Sequence, residues 1–173
     1  YGPDDVAAFK EEVKKYMVPL SLRIQEKKKK MLGLEKITVI DQLLYFREGN
    51  PNPKGTPEEI FENGKKMYDE LSKETSEFFR FMLENDLLDC LSRKGKAPGG
   101  YMTFIPDYKS PFIFANFNGT SGDVDVLTHE AGHALNGYLA KDIDIYEYAS
   151  PTYEACEVHS MSMEFFTMPW MKL

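Results

Sequence analysis

The sequence has 173 residues and a mass of 19.9 kDa, enough for one well-filled core or one lobe of something larger. Hydrophobic residues at 42% and charged residues at 28% are ordinary for a globular protein, and the net charge of −7 argues against a nucleic acid or an anionic membrane as the main partner. Two cysteines, Cys90 and Cys156, are too few for a disulfide framework and point to a reducing compartment; no stretch approaches the roughly 20 apolar residues that span a bilayer.

The opening Tyr-Gly-Pro-Asp-Asp lacks a methionine and a signal-peptide pattern, and it steps directly into a helix. Val6, Phe9, Val13, Met17, Leu20 and Ile24 recur at three- and four-residue intervals, which predicts an amphipathic helix over 4–31. Pro19 removes one backbone donor and predicts a kink, and Gly33 a stop. Residues 36–47 mix apolar and β-branched types, and strand and extended loop are equally compatible with them. The turn-rich segment 48–55 precedes Thr56, which caps a second helix, with Pro57 in its first position and Glu59 completing a capping box. Its inner face runs from Ile60 through Met67, Leu71 and Phe78 to Met82, with a break near Ser72, and this Met and Phe stripe reads as core packing. After a loop at 94–100, Tyr101–Ile105 and Pro111–Phe117 read as two short strands joined by a turn.

Residues 129–133 are His-Glu-Ala-Gly-His, in a helix expected to start near Ser121, its possible N-cap, and to run to about Lys141. Histidines four apart stack on one helix face, with Cβ atoms roughly 5–6 Å apart, so their rings can converge on one zinc. Glu130 is rotated by about 100° from His129 and points beside the metal, where a general base for a zinc-activated water belongs. Paired helical histidines can be mere surface decoration, but two of only 3 histidines take this spacing in an apolar helix.

A hydrolytic zinc needs a third ligand and an open position. With no further histidine close by, the candidates are Glu147, Glu154, Glu157 and Glu164, around a helix that starts at Ser150-Pro151. Glu154 falls in the first turn, where a carboxylate can serve only the helix dipole. Glu157 follows the small residues Ala155 and Cys156, which would allow close approach, and is modestly favoured. Glu164 shares its face and suits a hydrogen bond onto a ligand histidine.

Gly-Gly-Tyr (99–101), Ser-Pro-Phe-Ile (110–113), Asn-Phe-Asn-Gly-Thr (116–120), the histidine motif and Glu-Val-His-Ser-Met-Ser-Met-Glu (157–164) together resemble the oligoendopeptidase F and thimet oligopeptidase family of zinc peptidases. The resemblance covers about residues 99–166, with weaker similarity upstream. It implies Glu157 as third ligand, Glu164 as its support, and a structural role for His159. It also implies a cytoplasmic zinc endopeptidase of short peptides, in which the backbone near Ala115 and Asn116 pairs with extended substrate. That strand begins with a proline, as an edge strand can. Relatives supply the donors that stabilise the transition state from histidine and tyrosine residues well downstream, and no matching segment precedes Leu173; Tyr146, Tyr148 and Tyr153 offer no basis for choice.

The expected fold is mainly α: a helical metallopeptidase catalytic lobe with a small β-sheet next to the zinc-binding helix. Residues 1–98 form its helical part, and 99–173 the sheet and zinc-binding helices. The apolar run Phe165–Leu173 makes a poor solvated tail and suggests a fragment truncated at both ends, with the rest of the parent chain or an oligomer partner covering the run. Alone, such a fragment is expected to bind zinc and to cleave weakly or not at all. The competing readings are a zinc carboxypeptidase, which would trim single C-terminal residues, and a non-catalytic helical binding module, in which Glu130 is dispensable.

Overall fold

The computed structural model describes residues 1–171, without the side chains of Tyr146 and Glu154; Lys172 and Leu173, the end of the apolar run, lie outside the described residues. The chain divides into two compact units, residues 1–50 and 51–173, so the boundary that the fold draws lies upstream of residue 98.

In the first unit, α1 (Pro3–Glu12) passes through a π-helical turn, Val13–Met17, into α2 (Val18–Leu32). The kink expected at Pro19 takes this form for a steric reason. A proline ring in a regular helix clashes with the carbonyl four residues back. A wider turn just before it, closed by the Val18 N–H on the Val13 carbonyl, relieves the clash. Gly33, at φ +67°, ends α2 in a Schellman motif: its own N–H reaches Lys30 O and that of Leu34 reaches Lys29 O. The ambiguous 36–47 segment is neither strand nor plain loop. Thr38 and Asp41 cap a 3-10 turn at Val39–Leu43, with both the Thr38 N–H and its hydroxyl on the Asp41 carboxylate. The predicted apolar stripe stays largely open, with Phe9, Met17 and Ile24 all exposed.

The first helix of the second unit, α3 (Pro57–Leu71), starts where the sequence places it, and its capping box closes through Glu59 N on Thr56 Oγ1 and Thr56 N on Glu59 Oε2. Ser72 is extended, breaks the helix and caps α4 (Lys73–Glu84). Thr75 ties the two helices by donating to Tyr68 O at 2.8 Å. Asp69 of α3 adds a second tie by accepting from Ser76 and Arg80 of α4.

A strand that the sequence did not announce follows: β1 (Leu88–Leu91). Its four residues, Leu-Asp-Cys-Leu, are too few to show a strand period. With β2 (Tyr101–Ile105) and β3 (Ser110–Phe117) it forms a sheet of order β1-β3-β2, parallel between β1 and β3, antiparallel between β2 and β3. β3 is therefore the central strand, which corrects the expectation of an edge strand. Burial of alternate residues along it, Ile113, Ala115 and Phe117, is the period of a strand that packs one face on a core.

On that face lies α5 (Gly122–Ala140), followed by the short α6 (Tyr146–Ala149) and by α7 (Tyr153–Thr167). The core joins Tyr68, Phe78, Phe79 and Met82 from α3 and α4 with Ile113 from the sheet, Leu127, Ala131 and Ala134 from α5, and Met163 from α7. At about 25 cal/mol per Å² of apolar surface removed from water, this burial is the main force that fixes α5 between the sheet and α7. The protein is thus mainly helical with a small sheet beside α5, as expected. No helix among the described residues is long and apolar enough to cross a membrane.

Candidate metal centre

α5 carries the histidine pair, and its start is fixed differently from the sequence expectation. Ser121 makes no side-chain cap. The buried carboxylate of Asp123 instead accepts the N–H groups of Asn118 and Gly119, at 2.9 and 2.8 Å, and anchors the preceding loop.

The second helix of the site, α7, runs antiparallel to α5. Going along α5 from His129 to His133, the partners on α7 run backward from Glu164 to His159. Close approach comes from Gly132 and Ser160, not from the Ala155 and Cys156 pair singled out in the sequence. A Cβ on Gly132 would meet Ser160 Cα at 2.6 Å and His159 O at 2.7 Å. Ser160 is fully buried at that crossing, while Ala155 is exposed.

The crossing brings His129, His133 and Glu157 together, with one ligand atom from each lying within 4.8 Å of the others. Glu157 Oε2 is 3.2 Å from His129 Nε2 and 3.9 Å from His133 Nε2. Ligands of one tetrahedral zinc, with bonds of about 2.0–2.1 Å, stand roughly 3.3 Å apart, so these residues fit such an ion with small shifts. Two imidazole nitrogens and one carboxylate oxygen are also the donor chemistry that zinc takes. Glu164 Oε1 accepts from His129 Nδ1 at 2.6 Å, at the ring edge away from the cluster. Glu147 is exposed and outside the cluster, and the Glu154 side chain lies outside the described residues.

The electrostatics favour an ionised Glu157 and a neutral His133, the protonation states that metal binding needs. The Ser160 hydroxyl donates to Glu157 Oε2 at 2.9 Å and, with the nearby histidines, lowers the Glu157 carboxyl below its ordinary value. Burial lowers His133, helped by the His129 charge and opposed by Glu157. Burial likewise lowers His159, which the sequence reading assigned a structural role and which sits 3.1 Å behind His133 Nδ1. Glu130 is buried at 8% exposure, and burial raises its carboxyl above the usual value. The His129 charge and a hydrogen bond from the Met102 backbone oppose that rise, and Glu157 adds to it.

Near Ala115 and Asn116, whose backbone is expected from the sequence to pair with substrate, one carbonyl and one side chain have partners within the chain. The Ala115 carbonyl accepts from the Lys96 ammonium at 2.5 Å, and Asn116 Nδ2 donates to Ala97 O and Gly99 O, both at 2.9 Å. Beyond the β1 bulge, Lys96 also gathers the Asp89 and Leu91 carbonyls. Among the described residues the edge strands of the sheet are β1 and β2, and it is β2 whose Met102 backbone reaches Glu130. Tyr148 and Tyr153 are exposed, and the side chain of Tyr146 is not described.

Fold and site together define a helical protein with two histidines and a glutamate, at metal-ligand spacing, on a pair of antiparallel helices. The chain matches the model of peptidase family M3 over residues 1–172. Among solved structures it superposes on one assigned as an oligoendopeptidase F from Bacillus anthracis str. Ames with a TM-score of 0.96 and 56% identity, covering 99% of this chain and 32% of that one. PZ peptidase A, determined with an inhibitor, gives a TM-score of 0.96 and 56% identity over 99% of this chain and 31% of its own. A peptidase structure from Chlamydophila abortus, at 21% identity and a TM-score of 0.72 over 99% of this chain and 28% of that one, shares the fold. A comparison with curated protein sequences gives no match. The chain belongs to peptidase family M3 and spans about a third of the length of these structures.

Proposed function

We propose that this chain carries the zinc-binding and general-base part of an oligoendopeptidase that hydrolyses internal bonds of short peptides. His129, His133 and Glu157 hold the zinc, and Glu130 is the general base. The observation that carries this reading is the convergence of the three ligand atoms within 4.8 Å beside a buried glutamate one residue after His129. Zinc, when bound, supplies Lewis acidity that polarises a peptide carbonyl and acidifies water.

The chain's own residues do the rest. Ser160 and Glu164 orient Glu157 and His129 through the hydrogen bonds described above. Glu130 takes the proton of the attacking water on a carboxylate oxygen and delivers it to the departing amide nitrogen. Burial makes it a stronger proton acceptor than an exposed carboxylate. Extended peptide adds along the outer side of β2 rather than at Ala115 and Asn116, because that side is unpaired and borders Glu130. The partners are thus short peptides, with the rest of the parent chain over the exposed Phe165, Phe166 and Met168. The two free cysteines support a cytoplasmic setting.

Atomic spectrometry on the protein and on Glu157→Ala, with mass analysis of peptide digests by wild type and Glu130→Gln, tests this reading. About one zinc per chain, lost with Glu157→Ala, is expected. Internal cleavage by the parent protein should also be lost with Glu130→Gln while zinc stays. Unchanged cleavage in Glu130→Gln, or no zinc in folded wild type supplied with metal, would overturn it. Release of single C-terminal residues would move the assignment to a carboxypeptidase.

A further inference from the structure

We infer that His159 is a positioning residue for the metal, holding His133 in the one tautomer that presents Nε2 to the ion. The inference rests on the zinc reading above and assigns a role to a residue outside the ligand set.

The two ligand histidines are backed differently. Behind His129 stands a carboxylate, Glu164 Oε1, 2.6 Å from Nδ1. Behind His133 stands another imidazole, His159 Nε2, 3.1 Å from Nδ1. The His133 and His159 rings meet edge to face, with centroids 5.1 Å apart and planes at 86°, so the contact is directional and not a stack. In a pair of neutral imidazoles so placed, one nitrogen donates and the other accepts.

The direction follows from the opposite edge of the His133 ring. Its Nε2 faces Glu157 Oε2 and is the ligand atom, so that nitrogen keeps its lone pair. The proton then sits on His133 Nδ1, which donates to His159 Nε2, and His159 carries its own proton on Nδ1. Reversing this bond would place a proton on Nε2 and remove one of the three ligands. Packing locks the arrangement: Gly132 and Ser160 form the helix crossing, and His133 and His159 are their chain neighbours, one on each helix. Without an acceptor behind it, the His133 ring keeps its place in the helix but loses what selects its tautomer and angle.

The test compares zinc affinity, by competition with a chromogenic chelator, in wild type, His159→Phe and His159→Gln, with melting of the metal-free forms as a check on folding. Phe fills the space without an acceptor and should weaken zinc binding about 10- to 100-fold, the usual effect of losing a partner behind a ligand histidine. Gln offers an amide oxygen and should stay within a few-fold of wild type. Nitrogen-15 spectra of the metal-free wild type should place the His133 proton on Nδ1. A folded His159→Phe that binds zinc as tightly as wild type, or a His133 proton on Nε2, would overturn the inference. Wild type that binds no zinc would overturn the zinc reading instead, and the tautomer measured without metal would still decide the part played by His159.

Discussion

Gly132 and Ser160 bring two helix backbones into contact: a Cβ added to Gly132 would lie 2.6 Å from Ser160 Cα and 2.7 Å from the carbonyl oxygen of His159. Those are backbone atoms that no rotamer change can move aside. Everything that α7 brings to the site, Glu157, His159 and Glu164, depends on that contact.

Gly132→Ala should therefore push α7 away from α5. Overpacking of this kind costs about 1–3 kcal/mol, and here it also separates Glu157 from the histidines. Thermal unfolding should show the destabilisation and atomic spectrometry a loss of zinc. An alanine variant with wild-type melting and a full zinc complement would show that the helices have room to spare.

Glu130 combines a chemical task with a cost in stability. Its folded carboxyl titrates above the unfolded value near 4.5, so in that window the folded state holds more protons and stability falls as pH rises. Metal-free Glu130→Gln should melt above wild type at neutral pH, with the gap closing on acidification as the wild-type carboxyl is protonated. Cleavage by the parent protein should fall by about 10²- to 10⁴-fold in the same variant, the usual contribution of a general base. A variant no more stable than wild type at neutral pH would contradict the burial argument.

Asp69 works in the opposite sense. The Arg80 guanidinium, the Ser76 hydroxyl and the Lys65 ammonium hold its carboxyl well below the usual range. Its contribution is complete above about pH 4 and is lost as pH falls toward the folded value. Asp69→Asn should destabilise the α3–α4 pair at neutral pH and converge on wild type in acid. A gap independent of pH, measured by denaturant unfolding, would mean that the hydrogen bonds matter and the charge does not.

The two thiols should separate cleanly. Cys90 is 1% exposed, and burial pushes its thiol up to about 12. Cys156 is more accessible, although its Sγ donates to Tyr153 O, and desolvation together with the nearby Glu157 raises its thiol above the usual value. A disulfide reagent at pH 8 should titrate one thiol in the folded protein and two in denaturant, with mass mapping placing the first at Cys156. Prompt labelling of Cys90 would show that the sheet opens readily.

Elements with local causes could be read directly from the sequence. The Thr56 and Glu59 capping box, the break at Ser72, the Gly33 stop and the His129–His133 spacing each depend on residues a few positions apart. So did the two longer strands, through alternation and turn residues. The hidden features are those whose cause lies elsewhere in the chain. β1 is a strand only because β3 lies beside it, and β3 became central for the same reason. Lys96 finds one of its acceptors, the Ala115 carbonyl, 19 residues away on β3, which no local pattern announces.

The site divides along the same line. The sequence by itself determined that two histidines and a glutamate share one helix, because the 3.6-residue period fixes the faces of a helix. Spacing alone left Glu157 only modestly ahead of Glu154, and nothing local identified Gly132, Ser160 or His159 as the residues that set the geometry. Only the tertiary structure decided that Glu157 reaches both histidines, that Glu164 and His159 back one ring each, and that β2 rather than β3 has the open edge. These are relations between elements far apart in the chain, settled by packing of helix on helix and strand beside strand, and the local period of a sequence carries no record of which partner will arrive.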